Sequence, residues 1–231
     1  MPASPLILCL ETSTKVCSVA LGQNGKVISL KESSDEKYSH AENLTVFIEE
    51  VCKQAAISLN QIDAVAVSKG PGSFTGLRIG VSTAKGLSYS LEKPLIGINS
   101  LEAMAVQVAS RKSQVASPKF FVPMIDAKRM EVYCAVYDEG LNEIKKTSAE
   151  IIDENSFSDL LAKNKMYFFG DGSEKCKLKI THPNAVFIDT INPSAQYMIS
   201  IAEKYFAKKK FEDLAYFEPF YLKDFVSGSA R

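Results

Sequence analysis

The sequence has no excess charge, no long apolar run, almost no histidine and no closely spaced cysteine pair, and each lack excludes something. Lysine and arginine together number 27 against 27 aspartates and glutamates, so the formal net charge is zero at pH 7. Free-standing nucleic-acid or membrane-surface binders rely on an excess of basic residues to attract phosphates, so contact with RNA is expected only through a partner. The longest apolar stretch, about Phe120–Ile125, contains Pro123 and falls far short of the roughly 20 residues of a membrane-spanning helix. The run Leu6–Leu10 ends at once in Glu11 with no basic residue before it, so no leader peptide and no membrane contact are expected. Cys9, Cys17, Cys52, Cys134 and Cys176 form no C-x-x-C pair and sit mostly in apolar surroundings, the pattern of buried thiols in a reducing cytoplasm.

The histidines are His40 and His182 alone. Leu44 stands four residues after His40, where a second metal ligand on the same helix face would be needed. A Ser/His/Asp triad would have to use one of the two. His182 precedes Pro183 in a loop and His40 opens a helix, so structural roles are expected for both, and no catalytic or metal-ligating residue is assigned.

What is present is an internal echo. Leu6–Leu10 reaches Glu11, turns through Thr12–Lys15, and resumes as Cys17–Leu21 before a Gly/Asn turn; Phe121–Ile125 reaches Asp126, turns through Ala127–Met130, and resumes as Val132–Tyr137. Both read as a strand, a tight turn and a second strand, with acid aligned on acid 115 residues apart. A third strand follows each, at Lys26–Lys31 and Asn142–Thr147. The match points to duplication, and 231 residues suffice for two lean halves.

The period then changes. Leu44, Phe47, Ile48, Val51, Cys52 and Ala55 recur at helical spacing over about 40–57. A buried parallel strand is expected at 62–68, a helix at 75–90 and a strand at 94–98. In the second half the pattern predicts a helix at 156–163, strands at 166–169 and 186–188, and an amphipathic helix at about 194–208 closed by Lys208-Lys209-Lys210. Those lysines read as partners of the helix dipole, with an RNA patch as the other reading. The fold class is α/β, a mixed sheet with flanking helices in each half. The boundary is set near Gln107–Ser117, dividing the chain into 1–108 and 109–231, with the last helix free to pack back on the first half.

Gly70-Pro71-Gly72-Ser73-Phe74-Thr75-Gly76 follows a buried strand and opens a helix, where free backbone N–H groups and the helix dipole favour an anion. Ser73 or Thr75 would cap the helix. The glycine spacing fits neither a Walker loop nor G-x-G-x-x-G, so a phosphate site and a capped structural turn both stand. Within that helix Gly76, Gly80, Ala84 and Ser88 repeat every fourth residue, a bare stripe suited to a close neighbour, either inside this fold or from a partner. Glu11 and Asp126 read either as turn formers or as ligands of a hydrated magnesium ion across a cleft.

These motifs together resemble the bacterial TsaB family, also called YeaZ: Leu8–Thr14 with Cys17–Leu21, Ser39-His40, Gly70–Gly80, Ile125-Asp126-Ala127 with Glu131-Val132-Tyr133, and Glu218-Pro219 with Tyr221-Leu222. The resemblance runs over nearly the whole chain and implies two ribonuclease-H-like halves of the actin, hexokinase and sugar-kinase superfamily. It implies a non-catalytic subunit in making threonylcarbamoyladenosine beside the tRNA anticodon, with the transfer step belonging to the paralogous TsaD, whose metal-binding H-x-x-x-H has no counterpart here. It further implies pairing with TsaD, or with a second copy when alone, through the first two helices. On this chain those carry His40, Leu44, Phe47 and Val51, and Gly76, Gly80, Ala84 and Ser88. TsaE would join the assembled pair, and tRNA would be met only through the complex. Nucleotide contacts would fall to Glu11, Thr12, Ser13, Gly70, Gly72, Ser73, Thr75, Gly76 and Asp126; no cofactor is assigned firmly, and ATP or ADP would belong to the assembled complex. Two positions depart from the family: Glu11 where Asp is usual, and Met130 in place of a small residue, both fitting a relaxed nucleotide site. Two other classes remain, a stand-alone actin-like phosphotransferase and a peptidase.

Overall fold

The chain folds as two copies of one topology. The computed structural model describes residues 4–34, 40–111, 119–189 and 191–223. The first half runs β1 (Ile7–Glu11), β2 (Cys17–Gln23), β3 (Lys26–Ser33), α1 (His40–Gln54), β4 (Ala64–Gly70), α2 (Phe74–Leu91), β5 (Leu95–Asn99) and α3 (Ser100–Ala109). The second runs β6 (Lys119–Asp126), β7 (Glu131–Tyr137), β8 (Glu143–Ile151), α4 (Ser158–Leu161), β9 (Lys165–Phe169), β10 (Ala185–Ile188) and α5 (Ile199–Ala207). One sheet has the order β3-β2-β1-β4-β5 and the other, read in the same sense, β8-β7-β6-β9-β10. In each, the first three strands are antiparallel and the last two join parallel to the first. These are the two ribonuclease-H-like halves, and the acids of the echo end the equivalent strands β1 and β6.

Strand alternation builds the layers. Leu8 and Leu10 of β1, with Val65 and Val67 of β4, face the core shared with α1 and α2, whereas Ile7, Cys9, Ala64 and Ala66 face the core shared with α3 and α5. Both faces are covered, so these strands read as unbroken apolar runs. In β6, Phe121 and Ile125 join the core under α3, and Val122 and Met124 the core on the other face. All five cysteines are buried and free. Among the described residues no helix is long and apolar enough to cross a membrane.

The differences from the expected elements have physical causes. Helix α3, unforeseen, has seven of its ten residues buried: Ser100, Leu101, Ala103, Met104, Ala105, Gln107 and Val108. It packs on strands of both sheets, so it carries no polar stripe to betray a helical period. The linker set at Gln107–Ser117 therefore begins inside a helix, and its part from 112 on lies outside the described residues, as does Ser39. The helix expected at 156–163 shrinks to α4, entered through Phe157 at φ 63°. The last helix opens as a 3-10 turn at Ala195–Met198 before α5. Helix α5 packs on the first sheet, with Ile199 seated over Gly22, where a Cβ would lie 2.4 Å from its Cδ1. Lys208 ends that helix, and Lys210 Nζ lies 3.8 Å from the Tyr205 ring centroid.

Candidate functional site

The β1–β2 turn and the loop after β4 form one packed unit. Glu11, Thr12 and Ser13 are each 0% exposed. The Ser13 N–H donates to Glu11 Oε1 at 2.6 Å, and the Thr12 N–H to Ser68 Oγ at 3.2 Å. Burial pushes the Glu11 carboxyl above its ordinary range, opposed by hydrogen bonds from Ser13, Ser68 and Thr12. Across from this turn, Ser73 caps α2, its Oγ accepting from the Gly76 N–H at 3.3 Å. Its own N–H donates to the Ser13 carbonyl at 2.6 Å. Thr12 Oγ1 donates to the Gly76 carbonyl at 2.8 Å.

Glycine is what permits this approach. A Cβ at Gly72 would lie 2.2 Å from the Ser13 carbonyl oxygen, one at Gly76 2.1 Å from that of Thr12, and one at Gly80 2.2 Å from Thr12 Oγ1. His40, 1% exposed, lies under the same turn with Nε2 2.8 Å from the Thr14 carbonyl. A carbonyl only accepts, so Nε2 carries the hydrogen. Burial lowers the imidazole pKa, against that hydrogen bond, and the ring is a neutral structural group.

This geometry places the two sets of expected site residues. Most of the nucleotide set is enclosed. Glu11, Thr12 and Ser13 are sealed in the interior, Gly70 and Gly76 are buried, and the Ser73 N–H of the loop is spent on Ser13 rather than free for a phosphate. Of that set Thr75 and Asp126 are exposed, and Asp126 is ion-paired with Lys175. Glu11 Oε1 accepts from the Ser13 N–H of its own hairpin, and among the described residues no group of three or more His, Cys, Asp or Glu is placed to hold a metal. The partner-interface set is also internal. Gly76, Gly80, Ala84 and Ser88 are buried, as are His40, Leu44, Phe47 and Val51, so the stripe admits Thr12 of this chain. The outer faces of α1 and α2 instead show Val46 at 48% and Tyr89 at 80% exposure.

Gly86 differs from the stripe, being exposed, with nothing within 4 Å of a Cβ built there. Gly86→Ala is expected to raise stability by about 0.5–1 kcal/mol, read as a higher urea midpoint at unchanged slope.

The second half repeats the glycine loop, a feature missed in the sequence although Gly170-Asp171-Gly172 follows its strand as Gly70-Pro71-Gly72 follows β4. Gly70 has φ +113° and Gly170 φ +102°, backbone that suits glycine. Gly170 also approaches closely, with a Cβ placed 2.2 Å from the Met124 carbonyl oxygen. The Asp126 N–H donates to Asp171 Oδ1 at 3.0 Å. Only a 3-10 turn, Glu174–Cys176, follows that loop, against the 18 residues of α2.

A C-terminal strap, also missed, links the two turns. The Glu212 N–H donates to the Leu95 carbonyl at 2.9 Å and the Phe220 N–H to the Lys69 carbonyl at 2.6 Å. The Tyr221 ring lies 4.8 Å from Phe74, and Lys223 pairs with Glu131 at the start of β7. Between strap and α2 is a cavity of about 350 Å³ lined by Arg78, Lys85, Phe217 and Tyr221 among others.

Comparison with known proteins places this arrangement. A family model described as TsaD, tRNA N6-adenosine threonylcarbamoyltransferase, matches residues 32–225. The tRNA threonylcarbamoyladenosine biosynthesis protein TsaB of Haemophilus influenzae is 32% identical over 96% of this chain and 94% of its own length. The chain belongs to the TsaD family, as one of its TsaB members. TsaB of Escherichia coli is likewise 32% identical, over 96% of each chain. Among solved structures, YeaZ from Pseudomonas aeruginosa superposes with a TM-score of 0.80 at 26% identity, over 94% of this chain and all of its own. Its TsaB relatives thus share its length as well as its sequence.

Proposed function

We propose that this chain acts in tRNA threonylcarbamoyladenosine synthesis as a subunit that supports catalysis without performing it, pairing with the transferase TsaD and, through that pair, with TsaE. The observation that carries the reading is the packing of the Glu11–Ser13 turn on the Gly72–Gly76 loop. In an actin-like kinase those two segments would face a nucleotide, and here each is the other's ligand. That favours a supporting subunit over a stand-alone phosphotransferase. Pairing uses the outer faces of α1 and α2 around Val46 and Tyr89, since the inner faces are spent within the fold. TsaB-named relatives matching nearly end to end support the pathway, and a cytoplasmic location goes with it.

Reconstitution with TsaC, TsaD, TsaE and unmodified tRNA tests the reading. Omitting this chain is expected to abolish most of the modification, and an unchanged rate overturns the proposal. Substitutions on the stripe, such as Gly80→Leu, would report on folding. Docking is read instead from Val46→Asp with Tyr89→Asp, which should stay folded and lose co-purification with TsaD.

A further inference from the structure

We infer that the C-terminal strap is a tie that fixes the angle between the two halves, closed at its far end by Lys223. The strap starts on the first half. Besides the bond from its N–H to Leu95, Glu212 pairs through its carboxylate with Lys69 Nζ at 3.4 Å. Phe217, 7% exposed, is set into the core shared with α1 and α2, and its carbonyl accepts from Lys85 Nζ at 2.9 Å. Glu218 and Pro219 then line the cavity beside α2. Pro219 fixes its own φ and keeps Glu218 extended, so the strap is stiff where it leaves the core. It is caught again by the Phe220 bond to Lys69 and by Tyr221 on Phe74, whose ring centroid lies 5.0 Å from the Arg78 guanidinium. The next anchor is on the second half. Lys223 pairs with Glu131, and its Nζ lies 3.5 Å from the Ala127 carbonyl oxygen and 6.0 Å from the Tyr133 ring centroid.

There is no slack between the last two anchors. The Cα atoms of Tyr221 and Lys223 can separate by no more than about 7 Å even in a fully extended chain, so the start of α2 and the β6–β7 turn move apart only if one anchor breaks. A second tie joins the halves elsewhere. Asn99 caps α3 by accepting from the Leu101 N–H at 2.9 Å, and its Nδ2 donates to Thr147 Oγ1 of β8 at 2.9 Å; Thr147 Oγ1 donates in turn to Glu143 at 3.0 Å. Helix α3 packs on strands of both sheets, but apolar packing is non-directional and by itself leaves the halves free to rock about that helix. Directional bonds at two separate points remove this freedom. The strap also gives a role to segments far apart in the sequence: Tyr221, the Gly70–Gly80 stretch that holds Phe74 and Arg78, and Glu131-Val132-Tyr133 meet through it.

The test measures the distance between the halves in the full chain by double electron–electron resonance. Spin labels go on Lys53→Cys in the first half and Lys163→Cys in the second, both exposed positions, and the five native cysteines are buried, so labelling is selective. One narrow distance is expected for the labelled chain with both ties intact. Lys223→Ala with Thr147→Val removes both ties and leaves the apolar cores untouched. A second, displaced distance should then appear, its share rising about five-fold for each tie lost, whereas Lys223→Arg should keep the single distance. If the double variant unfolds early, Lys223→Ala alone, at the end of the strap, carries the same test. An unchanged distribution in the variants would mean that packing on α3 sets the angle, and a broad one with both ties intact would mean that no angle is fixed; either result overturns the inference.

Discussion

Gly76→Ala is expected to destabilise the chain by about 3 kcal/mol, the upper end of what overpacking a well-filled interior costs. The added methyl would lie 2.1 Å from the Thr12 carbonyl oxygen, with His40 Cδ2 at 3.3 Å on another side. Neither neighbour is free to yield. The Thr12 N–H is tied to Ser68, its hydroxyl holds the Gly76 carbonyl, and His40 is fixed on Thr14. Either α2 backs away from β1 or the β1–β2 turn is displaced, and both open the core shared by α1 and α2. Gly80→Ala should cost less, because its methyl meets the Thr12 side chain at Oγ1 and not a backbone atom, and a side-chain rotation relieves the clash at the expense of the one hydrogen bond to the Gly76 carbonyl. Urea unfolding of the two variants beside Gly86→Ala gives a direct ordering along one helix: destabilised, less destabilised, stabilised. Equal midpoints for Gly76→Ala and Gly86→Ala would mean that the stripe is not held by Thr12. TsaD co-purification of a folded fraction adds a second reading, since moving α2 tilts the outer surface that carries Tyr89.

The ordering also shows where sequence pattern stops being informative. The doubled hairpins, the capping Ser73 and the strand–loop–helix context of Gly70–Gly76 are local features, written in alternation, turn residues and spacing, and the structure has them. The bare stripe was legible as a demand for a close neighbour. Whether that neighbour is Thr12, 64 residues earlier, or another protein depends on tertiary placement, which spacing does not encode. Helix α3 was hidden for a related reason. Sandwiched between two sheets, it needs apolar residues around most of its circumference, and its periodicity vanishes. The strap had no periodic signature at all, because its backbone bonds are scattered singly to Leu95 and Lys69. The second glycine loop could have been found, since the echo already aligned Glu11 with Asp126, and following each half onward leads to Gly-x-Gly at the end of the next parallel strand.

Glu11→Gln is expected to reverse part of the protein's pH dependence. The carboxyl is fully buried and its pKa lies above the 4.5 of a free glutamate, burial being the main cause. Between the unfolded value and the raised folded value, the native state holds a proton that the unfolded chain has released. Stability therefore falls as pH rises through this window, by at most about 1.4 kcal/mol per pH unit for a single group. Other carboxyls act in the opposite sense: Asp138, held low by hydrogen bonds from Asn142, and Glu150, held low by Ser148 and Lys145 against burial, lose their contributions as pH falls. Total stability mixes the two, but the difference between the variant and the unaltered chain isolates Glu11. Glutamine keeps an acceptor for the Ser13 N–H and takes no charge, so its advantage should be smallest below the ordinary glutamate range and grow as pH rises through the window above it. Chemical denaturation at several pH values measures that difference, and a flat one would mean that Glu11 is ionised in the folded chain throughout. The same result bears on the site as a whole. A carboxyl whose charged form is penalised by burial is poorly suited to hold a divalent cation beside a phosphate, and the hairpin turn that carries it packs against α2 through Thr12 and Ser13.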